Sequence, residues 1–207
     1  MACVGLYTLT RVIMKKILIT GGAGYIGSHV VKILGEMGHD LIVVDNLSTG
    51  REASVLFGEL VKIDLGDKES LEKLFLRHKF DTCFHFAGSI VVPESVTDPL
   101  KYYENNTVNT FNLLSLCQKY KLSKFVFSST AAVYGENEDG ICKENSLISP
   151  MNPYGKTKYM TEQMLEDISN ANNNFNYTIL RYFNVAGASA DGQIGQAGPI
   201  ATHLIKI

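Results

Sequence analysis

The segment Thr20-Gly21-Gly22-Ala23-Gly24-Tyr25-Ile26-Gly27 sits between a strand-like run, Lys16–Thr20, and a helical pattern over Gly24–Gly35. Glycines at such a junction permit a tight turn and let backbone N–H groups at the helix start approach a pyrophosphate. GxGxxG from Gly22 and GxxGxxG from Gly21 both fit, so glycine spacing alone leaves the register open. Asp45 ends the next strand-like run, 21 residues after Gly24. That is near the spacing expected of an acid that binds a ribose 2′-hydroxyl. A carboxylate there would repel a 2′-phosphate, so the pattern favours NAD over NADP.

The rest of the chain agrees with such a turn. Apolar, β-branched runs at Lys16–Thr20, Leu41–Asp45, Leu60–Asp64, Thr82–His85, Lys124–Ser128 and Thr178–Tyr182 read as strands. Helical patterns at Gly24–Gly35, Lys68–His78, Leu100–Tyr120 and Tyr154–Asn170 alternate with them. This predicts an α/β fold, a Rossmann-like doubly wound parallel sheet with helices on both faces. The 207 residues are 45% hydrophobic with a formal net charge of −2, which argues against disorder and against a nucleic-acid binder. Cys3, Cys83, Cys117 and Cys142 form no CxxC pair and read as reduced thiols of a cytosolic protein. The five histidines show no ligand spacing, so no metal is expected. No run approaches the ~20 apolar residues of a membrane span. Residues 1–14 read as a poorly ordered N-terminal extension, with the folded body spanning 15–207. The closing GPIATHLIKI reads as an interrupted helical segment, as expected of part of a longer protein.

Two further regions carry chemistry. Asp64, ending the third strand-like run, fits either an adenine contact or a helix cap. Phe86-Ala87-Gly88 places small residues where a dinucleotide would cross the strand ends. The fifth strand-like run leads into Ser128-Ser129-Thr130, and Tyr154-Gly155-Lys156-Thr157-Lys158 opens a later helix. Four residues apart, Tyr154 and Lys158 share a helix face. A phenol titrates near 10. A nearby ammonium and a nicotinamide cation would favour its phenolate and make Tyr154 a base, with neighbouring hydroxyls holding a substrate oxygen. The pattern of Tyr103, Phe111, Leu114 and Cys117 fits packing on the sheet or an exposed pairing face.

In order, TGGAGYIG, DNLSTG, FAG, FSSTAAVYG, PYGKTK and RYFNVAGA resemble the extended short-chain dehydrogenase/reductase family, on its nucleotide-sugar 4-epimerase branch. Dehydratases of that family carry an Asp-Glu pair where this chain has Ala131-Ala132. The resemblance implies bound NAD and a UDP-galactose/UDP-glucose substrate epimerised through a 4-keto intermediate, the alternatives being another extended family member acting on a nucleotide sugar, or an inactive NAD-binding fragment. It implies Thr130 as the catalytic hydroxyl, Tyr154 as base, and Lys158 as the partner that also holds the nicotinamide ribose. Gly21, Gly24, Tyr25, Ile26 and Gly27 would hold the pyrophosphate. Asp45, Asn46, Leu47, Ser48, Thr49 and Gly50 would hold the adenosine ribose, and Asp64 and Leu65 the adenine. Phe86, Ala87, Gly88, Asn106 and Phe183 are further implied cofactor neighbours, and Asn184 a substrate contact. Ile90 and His203 depart from the family's usual lysine and asparagine. The resemblance also implies a cytoplasmic homodimer in galactose metabolism, and longer chains in which a smaller substrate domain follows.

Overall fold

The computed structural model describes residues 14–136 and 140–196. Residues 1–13, the closing segment and His203 therefore lie outside the described residues. The elements run β1 (Lys16–Thr20), α1 (Tyr25–Glu36), β2 (Asp40–Val44), β3 (Glu59–Val61), α2 (Lys68–Arg77), β4 (Thr82–His85), α3 (Val92–Thr97), α4 (Pro99–Tyr102), α5 (Asn109–Lys119), β5 (Lys124–Ser128), α6 (Pro153–Ala171) and β6 (Asn176–Leu180). The strands form one parallel sheet in the order β3-β2-β1-β4-β5-β6. This is the doubly wound Rossmann order, whose reversal between β1 and β4 opens a crevice at the carboxyl ends of the strands.

Strand alternation sorts the core into two layers. Leu18, Ile42, Val44, Cys83, Phe125 and Phe127 pack with Leu71, Leu74 and Phe75 of α2, Leu113 and Leu114 of α5, and Leu165 of α6. Ile17, Ile19, Leu41 and Val43 point the other way and meet Val31 of α1. Each large apolar side chain so buried contributes about 1.5–3 kcal/mol before chain entropy is counted. β6 lies at the sheet edge and alternates, with Tyr177 and Ile179 against the core and Thr178 and Leu180 exposed.

Helix starts are set by side chains. Asp67 accepts from the Ser70 N–H at 3.0 Å, and Asn152 accepts from Gly155 N–H at 2.8 Å with Pro153 opening the helix. Between α4 and α5 the chain winds through a π-helical stretch, Tyr103–Val108, so the expected helix is continuous but irregular. There Leu114 and Cys117 are buried, whereas Phe111 is 56% exposed. β3 is shorter than its sequence pattern and stops before Asp64, whose carboxylate accepts from Gly66 N–H at 2.8 Å and turns the chain. β6 begins and ends two residues earlier than expected, because Asn176 pairs with Lys124 and Arg181 is drawn to Glu162.

Register brings the strand ends level. Thr20 pairs with Val44 and His85, and His85 with Phe127. The turns after β1, β4 and β5 are thereby neighbours.

Candidate active site

Gly21 has φ +71°, and a Cβ there would lie 2.4 Å from the Ala87 nitrogen. A Cβ on Gly27 would meet the Gly21 carbonyl oxygen at 2.2 Å. Gly24 caps α1 without a side-chain bond and no acidic residue occupies the first helical turn. The left-handed turn, the cap and the close helix approach thus fall on Gly21, Gly24 and Gly27, which fixes the register left open by the glycine spacing. The N–H groups of Tyr25 and Ile26 stand in the first turn, where a helix lacks internal acceptors and suits an anion.

The loop after β2 folds back onto this turn. Asp45 is buried and its carboxylate accepts from Ala23 N–H at 3.0 Å and Leu47 N–H at 2.8 Å. Asn46 donates to Asp64 at 2.6 Å and accepts from Ser48 N–H at 3.0 Å. Leu47 adopts φ +58°, while Gly50 packs on Ala23 and Ser48 and Thr49 are exposed. Asp64 therefore ties two loops together, and Asp67 rather than Asp64 caps α2. Leu65 is buried in the core.

Across the switch point, Phe86 and Ala87 N–H groups bond the Thr20 carbonyl at 2.8 and 3.1 Å. Gly88 has φ +155°, and a Cβ on it would lie 3.0 Å from Asn106 Oδ1 and 3.4 Å from Lys158 Nζ. Asn106, in the π-helical stretch, accepts from Ser89 N–H at 2.7 Å and donates to the Ser89 carbonyl at 2.9 Å and to Thr157 at 3.2 Å. Ile90 is exposed.

Lys158 is buried and donates to the Ser128 carbonyl at 3.1 Å, with its ammonium 5.1 Å from the Phe127 ring centre and 5.9 Å from that of Tyr154. Burial pushes its ammonium down to about 8. Thr130 is buried and caps the short turn Ala131–Val133 by accepting from Ala132 N–H at 3.1 Å. The Tyr154 phenol is pushed above its ordinary value by burial, with the Thr130 hydroxyl acting the opposite way and the Tyr182 phenol adding to the rise. The Lys158 ammonium is aimed at the Ser128 carbonyl and the Phe127 ring face.

Several groups around this centre were not anticipated from sequence. His85 lies buried between Thr20 Oγ1 at 2.6 Å and Thr110 Oγ1 at 2.8 Å, and burial, followed by the charge of Lys158, pulls its imidazole down to about 3. The Tyr102 hydroxyl meets the Val91 carbonyl at 2.7 Å and Glu94 at 2.8 Å, and its ring stands edge-on to Tyr154. Glu162, four residues after Lys158, was the one such residue with a legible signal, since it lies on the same helix face. By contrast Phe183 is 71% exposed and Asn184 is exposed beyond β6, so neither is packed against Tyr154. The following segment instead returns to α1, where the Tyr25 hydroxyl donates to Gly187 carbonyl at 2.7 Å and Lys32 pairs with Asp191 at 3.0 Å.

Among the described residues no helix is long and apolar enough to cross a membrane, and no three His, Cys, Asp or Glu side chains gather as metal ligands.

Comparison with known proteins agrees with this geometry. A UDP-glucose 4-epimerase of Azospirillum brasilense is 52% identical over 193 residues, covering 93% of this chain and 55% of that protein. A crystal structure of a UDP-glucose 4-epimerase superposes with a TM-score of 0.89 at 44% identity, covering 92% of this chain and 58% of the other. The UDP-glucose 4-epimerase of Brucella ovis, solved in complex with NAD, gives a TM-score of 0.88 at 41% identity, with 92% and 58% covered. The chain thus spans little more than half the length of the relatives it matches. The model of the NAD dependent epimerase/dehydratase family matches residues 17–206, and the chain belongs to that family.

Proposed function

We propose that this chain carries the NAD-binding and catalytic portion of a UDP-glucose 4-epimerase, which interconverts UDP-galactose and UDP-glucose through a 4-keto sugar. The observation that carries the reading is the convergence of Thr130, Tyr154 and Lys158 beside the Gly21–Gly27 turn at the carboxyl end of a Rossmann sheet.

The residues present suit a dinucleotide. Backbone at Gly21 and Gly27 leaves no room for a Cβ, and the α1 start offers N–H groups without a side-chain cap. In this reading Gly21, Gly24, Tyr25, Ile26 and Gly27 hold the pyrophosphate, and the Asp45–Gly50 loop holds the adenosine ribose. Asp64 and Leu65 border the adenine, and Phe86, Ala87, Gly88 and Asn106 flank the nicotinamide half. Phe183 adds a neighbour and Asn184 a sugar-nucleotide contact once the exposed segment beyond β6 is covered. NAD, when bound, supplies a hydride acceptor that returns what it takes.

Tyr154 removes the proton of the sugar 4-hydroxyl and later returns it. Thr130 holds that oxygen, and Lys158, protonated at neutral pH, favours the phenolate and anchors the nicotinamide ribose. Ala131 and Ala132 leave no acid beside Thr130 to expel water, which separates this site from a dehydratase. We further propose residues 15–207 as one functional unit and a cytoplasmic role in galactose metabolism. A homodimer would pair through exposed Leu100, Val108 and Phe111 of the α4–α5 helix and Met160 of α6.

The test is epimerisation of UDP-galactose by the purified chain and by a C-terminally longer form, with bound NAD measured in each. Tyr154→Phe is expected to lower turnover by about 10²–10⁴-fold with NAD still bound. Bound NAD without turnover of any nucleotide sugar in either form would leave a binding domain and refute the epimerase reading.

A further inference from the structure

The chain after β6 leaves the sheet, crosses to α1 and is fastened at both ends of that crossing. At the near end the Ala131 N–H donates to the Tyr182 carbonyl at 3.1 Å, and the Tyr182 hydroxyl hydrogen-bonds the Ser128 hydroxyl. At the far end the Tyr25 hydroxyl donates to the Gly187 carbonyl at 2.7 Å. The Tyr25 ring stands edge-on to His29 one turn along α1, with ring centres 5.5 Å apart. Beyond Gly187 the segment closes on itself: Ala188 bridges Gly195, Ser189 N–H donates to the Ile194 carbonyl at 2.9 Å, and Ile194 is buried. Asp191 then pairs with Lys32 of α1 at 3.0 Å.

Between these fastenings lie Phe183, Asn184, Val185 and Ala186, all exposed. Among the described residues none hydrogen-bonds these four, so their position depends on the two ends. Ala131 follows β5 and Tyr25 follows β1, with β4 between them in the sheet. β1 and β5 therefore stand two strand spacings apart, about 10 Å. Five residue steps from Tyr182 to Gly187 reach about 17 Å at most, too few to loop far from the strand ends. The four residues thus pass the carboxyl end of β4, where the Phe86–Gly88 turn borders the crevice between β1 and β4.

We infer that the Tyr25 hydroxyl is the latch of a strap, Phe183–Ala186, that closes the mouth of the dinucleotide crevice and sets how fast the cofactor enters and leaves. Tyr25 then has two separate duties: its N–H stands at the α1 start, and its hydroxyl positions the strap. The Lys32–Asp191 pair is a second fastening, weaker because both groups are partly in water. The strap has this role only if the crevice holds NAD as proposed above, and it governs exchange rather than reaction. A latch made equally with the crevice empty or filled slows entry and exit alike and leaves the affinity alone.

NADH is mixed with the purified chain, and with a C-terminally longer form, in a stopped-flow fluorimeter, and release is followed by chasing bound NADH with excess NAD. Tyr25→Phe, which keeps the ring and the N–H, is expected to speed both entry and release by about threefold to tenfold, the worth of one hydrogen bond. Asp191→Asn is expected to speed both by about twofold. The dissociation constant is expected to stay within about twofold in each variant. Faster release with unchanged entry would make the hydroxyl a contact of the bound dinucleotide and overturns the latch. Unchanged rates with a lowered melting temperature would make the bond merely structural and overturn it equally. Should Tyr25→Phe disturb the glycine turn and lose affinity, Asp191→Asn, which does not touch that turn, decides alone. A wild-type chain that takes up no NADH would overturn the NAD site itself, a result distinct from unchanged rates.

Discussion

Replacing Lys158 by Met tests the electrostatics of the site directly. The ammonium is enclosed by the Ser128 carbonyl and the Phe127 and Tyr154 rings, and burial alone lowers it from 10.5 to about 8. Between those values the unfolded chain keeps a proton that the folded chain has released. Unfolding then takes up a proton, so the Lys158 contribution to stability rises with pH across this window. Below pH 8 both states hold the proton, and the full cost of burying the charge, about 3 kcal/mol, is present. Lys158→Met removes that cost at little change in volume. Urea unfolding of both proteins from pH 7.5 to 9.5 is expected to show the wild type gaining about 2 kcal/mol relative to the variant, other titrations cancelling in the difference. A difference that stays flat, or one that moves against the wild type as pH rises, would refute a buried, uncompensated ammonium. The same variant is expected to lose turnover, so the lysine is kept at a cost to stability.

Gly27→Ala places a methyl group against the Gly21 carbonyl and the Gly22 Cα, both backbone atoms. It is expected to destabilise the fold by about 1–3 kcal/mol and to abolish NAD binding, read by thermal melting and by dinucleotide titration. Asp45→Ala orphans the N–H groups of Ala23 and Leu47. It is expected to weaken NAD affinity at least about tenfold and to speed hydrogen exchange at those two amides. Tyr102→Phe removes a hydroxyl that serves the Val91 backbone and Glu94. Its expected cost is about 1–2 kcal/mol by urea unfolding, with NAD affinity unchanged.

The sheet was readable because its strands are buried on both faces and spell near-continuous apolar runs; β1, β4 and β5 fall where those runs lie. β3 misled because Ile63 continues the apolar pattern after the ladder has ended at Val61, and the turn made by Asp64 with the Gly66 N–H is a side-chain bond that the apolar pattern does not encode. The glycine register needed a backbone angle, φ at Gly21, that spacing does not encode. Tyr154 and Lys158 were legible because one helix carries both. The Glu162–Arg181 pair was not, since its members come from α6 and the segment after β6, which only the folded chain brings together. The direction of the Tyr154 shift also depends on burial, a property of the packed molecule. Phe183 and Asn184 were named by resemblance alone, and both are exposed.

The π-helical stretch Tyr103–Val108 has a consequence for how this region tolerates change. A π turn spends one residue more than an α turn on nearly the same rise. Asn106 occupies that wider winding and reaches both Ser89 and Thr157. Deleting a single residue there would close the bulge into a regular helix and leave the segments on either side in nearly their present phase. Leu113 and Cys117 would keep their places in the core, and what would be lost is the widened turn from which Asn106 reaches Ser89 and Thr157. The surplus residue therefore serves the site rather than the fold, and losing one residue within Tyr103–Val108 is expected to be better tolerated by the fold than losing one from α5.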